Sequence, residues 1–327
     1  MLQELPSSAA LVLWHLYRDA MLWASVAREH RPCVFRPGGV EARQALILES
    51  PLDAAAREAA DRLAYWLLVS PGSATPNNVS THCVTLAEWA ASNGFGRSAL
   101  LLAKASSAAS PDDAAYALIV ARVAERFGWR SHAHSWLRRT VAMGRRQGDW
   151  ASYAEAFVSF GNIAFAEDRL EVAVRNFVRA AGAARRWSVR VARAKALHGL
   201  FRVASAKGDD SQAAEYSRVA LRAYPRTHVG VTALRNELAA MMRMAAVRAA
   251  AEKGDTALLA DAWFSAVAAI EDLGETPEAA AYLTRLVAAA GGALERRRAQ
   301  ETLRRAEEIA RRANSAARES GTPRYSG

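Results

Sequence analysis

Apolar and polar positions recur along this chain with the period of a helix. From Ser7 to His30 the apolar positions Leu13, Leu16, Tyr17, Trp23 and Val26 predict one amphipathic helix. Arg31 to Gly39, with Pro32, Pro37, Gly38 and Gly39, reads as a loop, and Val40 to Glu49 as a second helix. A third begins at Ser50-Pro51-Leu52-Asp53, with Ser50 as its cap, and buries Leu63, Trp66 and Leu67. Ser70 to Ser80 has the composition of an irregular linker.

Beyond that linker the pattern repeats. Ala133, Ala173 and Ala213 lie 40 residues apart. Gly128, Asp168 and Gly208 precede them by a constant interval, and Ala121, Gly161 and Phe201 by a longer one. Cys83, Leu86, Ala87, Ala90, Gly94, Ala99 and Ala103 fit an earlier copy, with Ala99 standing 34 residues before Ala133. Small residues at a fixed period of this size mark helix pairs that stack on their neighbours. After Pro225 the register slips, since Gly254-Asp255 follows Gly208-Asp209 by 46 residues. Leu258, Trp263 and Val267 still predict a helix. Leu283, Leu286, Val287, Ala290, Ala299, Leu303 and Ala306 make a last pair.

The clearest copies, Phe157–Gly182 and Leu197–Pro225, resemble the tetratricopeptide repeat. The resemblance rests on Phe157, Phe160, Gly161, Ala173, Phe177, Ala180, Gly208, Ala213, Ala220 and Pro225. Ala164, Ala204 and Ser217 depart from it. It implies an all-α, right-handed superhelical solenoid of antiparallel helix pairs. The expected organisation is a helical cap or divergent repeats over 1–70, a linker over 71–80 and repeats over 81–225. Divergent repeats and a capping helix follow over 226–312, and a disordered tail over 313–327.

Charge and candidate chemistry change this picture little. The net charge is +10, and the end from Glu295 onward holds nine Lys/Arg against five Asp/Glu. That balance permits attraction to nucleic acid, an anionic membrane or an acidic protein. The arginine-rich last helix is interrupted by Glu295, Glu301, Glu307 and Glu308, and no nucleic-acid motif accompanies it. Only Cys33 and Cys83 occur, which favours a reduced, intracellular chain. The most apolar stretch, Ala9 to Ala27, is broken by His15, Arg18 and Asp19, so no membrane span is expected.

Gly94-Phe95-Gly96-Arg97 falls short of a dinucleotide loop. His132 and His134 diverge on a helix, and no nucleophile elbow or Cys-x-x-Cys pair is present. No cofactor or metal is implied. Trp89, Trp136, Trp187 and Trp263 read as packing between helices.

In tetratricopeptide arrays the first helix of each pair lines an inner groove. Carried onto this sequence, the resemblance puts Arg122, Glu125 and Arg126 there, then Glu155, Val158, Asn162 and Phe165, then Lys195, His198 and Arg202, with Arg248 from the slipped copy. Asn162 stands where the family often bonds a ligand backbone. The family's peptide-carboxylate clamp is not reproduced, because Leu118, Val158 and Gly199 occupy clamp positions. The expected protein is a non-catalytic interaction scaffold of a bacterial-type cytoplasm. Its basic groove would bind an acidic or amphipathic segment of another protein. The alternatives are a tetratricopeptide-type regulator or sensor that acts on transcription or binds nucleic acid through its basic last helix, and an enzyme with an unrecognised pocket.

Overall fold

The computed structural model describes residues 4–35 and 40–319. All regular elements among them are helices: α1 (Ser7–Ser25), α2 (Arg31–Val34), α3 (Val40–Glu49), α4 (Ala54–Ala64), α5 (Pro76–Ser92), α6 (Gly96–Ala109), α7 (Ala114–Arg126) and α8 (Arg130–Gln147). They continue as α9 (Trp150–Ala166), α10 (Leu170–Arg186), α11 (Arg190–Lys207), α12 (Asp210–Ala223), α13 (Val229–Lys253), α14 (Thr256–Glu271), α15 (Pro277–Ala290) and α16 (Arg296–Glu319). The fold is an all-α solenoid of paired antiparallel helices, and the pairing starts at α5 and α6. The chain divides into two compact units, one of residues up to Ser159 and one of Phe160–Ala317, so the division falls within α9.

Each pair turns on one left-handed residue. The φ angle is +70° at Gly128, +78° at Gly208 and +67° at Gly254, where the missing Cβ removes the steric cost. Asp168, at φ +55°, does the same between α9 and α10, using a residue type that tolerates this region better than most. The slipped register after Pro225 is explained by α13, which runs 25 residues against 18 for α11.

In the first unit the core gathers Leu13, Leu16 and Trp23 of α1 with Leu63, Leu67, Leu86 and Leu102, all fully buried. Helix α1 ends at Ser25, short of the expected His30, because Val26 and Ala27 turn extended before a single 3-10 turn at Arg28–His30. Arg31 fixes this break: its guanidinium lies 3.5 Å from the centre of the Trp23 ring and its Nε donates to the Val26 carbonyl. The Trp23 indole in turn donates to the Pro71 carbonyl at 3.1 Å. The expected loop after it holds α2, and residues 36–39, with Pro37, Gly38 and Gly39, lie outside the described residues.

Asp53 caps α4 by accepting from the Ala56 amide, whereas Ser50, expected as the cap, donates to the Ile47 carbonyl and closes α3. The expected linker is shorter than 70–80. Thr75 and Asn78 form a reciprocal capping box, and α5 already begins at Pro76. Glu4 crowns α6, accepting from the Arg97 and Ser98 amides at its N-terminus.

The second unit is organised around Phe177 of α10, which is 1% exposed. A Cβ placed on Gly161 of α9 would stand 2.4 Å from the Phe177 ring, and one on Gly199 of α11 would stand 2.3 Å from it. One ring is thus seated on two bare backbones. Helix α16 continues to Glu319, past the residue 313 at which a disordered tail was expected, and residues 320–327 lie outside the described residues.

Candidate functional site

The first helices of consecutive pairs are α7, α9, α11, α13 and α15, and they carry the groove residues expected from the sequence. In the first unit Arg122 and Arg126 are exposed on α7. Arg122 donates to Glu155 of α9 at 2.7 Å, so one expected cation is already matched by an acid of its own unit. Val158, expected in the groove, is 6% exposed and belongs to the core.

In the second unit Asn162, Phe165, Lys195, His198 and Arg202 are half-buried, and Arg248 is exposed. Three of these converge. The Arg202 guanidinium lies over the Phe165 ring at 5.0 Å, which makes Phe165 half of a cation–aromatic pair rather than a bare apolar contact. Arg202 and His198 both turn toward Glu237 of α13. His198 Nε2 is 3.2 Å from Glu237 Oε1, and Arg202 Nε is 3.5 Å from Oε2. Gly199, where an arginine would complete a clamp, has no room for a side chain because Phe177 fills the space.

Glu237 is the residue the sequence reading missed, and it is 7% exposed. Burial pushes its carboxyl up, but the His198 hydrogen bond and the charges of Arg202, His198 and Arg285 outweigh burial and hold it below the usual carboxylate range. Arg285 of α15 completes the surroundings. Its Nη2 donates to Ser205 Oγ at 3.2 Å, its Cζ lies 4.3 Å from the centre of the Tyr282 ring, and its Nε is buried without an acceptor. Burial first, and then the Glu237 charge, raise the Tyr282 hydroxyl above its ordinary value. The sequence marked Glu237 only weakly, as an acid after Arg235 and Asn236 in a copy whose register had slipped.

Beside this cluster lies a cavity of about 290 Å³. The C-terminal end of α11 lines it with Ser205 to Gly208, α13 with Met241, Met244 and Arg248, and α15 with Arg285, Ala288 and Ala289. Among the described residues no group of three or more His, Cys, Asp or Glu is placed to hold a metal ion. No described helix is long and apolar enough to cross a membrane. Cys33 is exposed and Cys83 buried, both as free thiols, and burial pushes the Cys83 thiol up to about 12.

On α16, Arg298, Arg305 and Arg312 pair with Glu295, Glu271 and Glu275, so part of that helix's positive charge is neutralised locally. Trp187, expected in the packing, is 45% exposed, with Arg186 over its ring.

The fold is that of an all-α helical repeat of the tetratricopeptide-like type. No family model matches the chain, and no curated protein matches it. The chain is similar to solved structures at low identity. Aspartyl phosphate phosphatase F from Bacillus subtilis is 8% identical, with 95% of this chain and 97% of that one covered at a TM-score of 0.50. A Rap protein complexed with competence and sporulation factor is 12% identical, covering 95% and 98% at 0.45. Pseudomonas aeruginosa pilF is 14% identical, covering 75% and 97% at 0.42. The first of these likenesses shows the fold alone. A helical-repeat fold of this kind is consistent with protein–protein interaction scaffolds.

Proposed function

We propose that the protein is a non-catalytic scaffold that binds an acidic, partly apolar segment of another protein. The segment would lie on the first-helix surface of the second unit that carries Asn162, Phe165, Lys195, His198, Arg202 and Arg248. The observation that carries this reading is the charge of α11, which has five cations, Arg190, Arg193, Lys195, Arg202 and Lys207, and no carboxylate. Glu237 faces Arg202, and Glu171 takes Lys207 at 2.5 Å. An approaching acidic segment would be steered by the net positive charge of α11, with Asn162 available to bond its backbone. Arg122 and Arg126 belong to α7 of the first unit.

Because Arg202 supports Glu237, reversing its charge would damage the fold and is a poor test. Lys195→Gln is the better variant. Partners are captured from the native cell by affinity, identified by mass spectrometry, and titrated against both proteins. The variant should melt like the parent and bind an acidic captured partner about threefold to tenfold more weakly at low salt, with the difference shrinking as salt rises. Equal affinities at low salt, or captured partners without acidic segments, would count against the reading.

A further inference from the structure

The cavity between α11, α13 and α15 presents one sign of charge. Lys207, Arg248 and Arg285 line it, no carboxylate does, and Met241, Met244, Ala288 and Ala289 supply apolar wall. Lys207 is engaged with Glu171 at the surface. Arg285 is the more telling residue, since among the described residues it forms no ion pair and its Nε is buried without an acceptor. Its neighbour Glu237 is shared with His198 and Arg202, so one carboxylate serves two guanidiniums and an imidazole.

The C-terminal end of α11 would ordinarily repel an anion through its free carbonyls. Here the Gly208 and Asp209 amides bond the Ser205 and Ala204 carbonyls, which softens that field.

We propose that this cavity is a binding site for a carboxylate carried on a short apolar body. The carboxylate meets the guanidinium forks of Arg248 and Arg285, the geometry in which arginine binds carboxylates most strongly. The apolar body packs on the two methionines, whose unbranched side chains adapt to different shapes. A bare phosphate fits less well, because it would leave water to face Met241 and Met244. The volume is near the lower end of the range for small-molecule sites. The same chemistry has two sources, a free amphipathic carboxylate or a glutamate flanked by apolar residues on a peptide. The site shares Arg248 with the partner surface proposed above, but Asn162, Phe165, Lys195, His198 and Arg202 do not line it, so Lys195→Gln separates the two.

Isothermal titration of the full chain tests this with four probes: octanoate, 1-octanol, inorganic phosphate and the capped tripeptide acetyl-Leu-Glu-Leu-amide. Ala288→Trp plugs the cavity from an exposed position, and Arg248→Gln removes one fork without touching the core. Octanoate or the peptide should bind with one-to-one stoichiometry, while 1-octanol and phosphate bind much more weakly. Both variants should weaken that binding about tenfold with unchanged melting, as the loss of a charge-assisted contact or of the space itself requires. Lys195→Gln should bind octanoate like the parent. Octanoate that the peptide does not displace supports a free ligand, and binding of the peptide alone supports a protein side chain. The proposal is overturned if neither carboxylate binds, if 1-octanol or phosphate binds as well as octanoate, or if Ala288→Trp binds as the parent does.

Discussion

At the scale of single residues, the glycines of the second unit carry the sharpest constraint. Replacing Gly161 with valine drives a branched side chain into the Phe177 ring, which is walled in and cannot retreat. The expected loss is about 3 kcal/mol, at the upper end for overpacking. Arg122→Ala removes one half-exposed ion pair and should cost no more than about 1 kcal/mol. Urea unfolding of both variants checks the ranking, and equal losses would refute it. Gly161 was legible in the sequence because the repeat asks for a small residue there. Gly199 was legible only as a departure, a missing clamp arginine. Its reason is a ring on the preceding helix, a contact that a family pattern does not record.

At the scale of elements, Glu237 joins α13 to α11 through His198 and Arg202, with Arg285 of α15 within electrostatic reach. Its folded-state value lies below that of the unfolded chain, so near pH 4 the folded form binds fewer protons than the unfolded one. The stabilisation is therefore present above the unfolded pKa and lost as pH falls through the folded one. Glu237→Gln should remove that part of the acid dependence, seen as a flatter urea midpoint between about pH 3 and pH 7. At neutral pH it should also destabilise the unit by about 3 kcal/mol, since two guanidiniums lose their shared carboxylate. A variant as stable as the parent, with the same acid profile, would show that the cluster holds nothing together.

Helix positions and turns were readable from the 40-residue copies because α7 to α12 keep the register. This cluster was not, because the extra length of α13 breaks the alignment at the point where it would have set Glu237 against His198 and Arg202. The break after α1 was hidden for a similar reason. It depends on Arg31 folding back over Trp23, and the apolar period runs on without marking it.

At the scale of the whole molecule, the sequence located excess positive charge at the C-terminal end, but several arginines of α16 meet glutamates in space. Cations with no acid on their own helix occur on α8, with five arginines, and on α11. Primary structure gives the sum of charges, and only the packed helices show which are already answered. The ring of Phe177 has a consequence of another kind. In a stacked array each pair can open by itself if it touches its neighbours only weakly. Phe177 belongs to one pair and rests on Gly199 of the next, so neither α9 nor α11 can separate from α10 without emptying the same socket. Native-state hydrogen exchange should find the amides of Gly161–Ala164 and Leu197–Leu200 opening in one event, with a shared free energy and a shared urea dependence. In Phe177→Ala the two sets should part company, α9 and α11 each exchanging at its own rate.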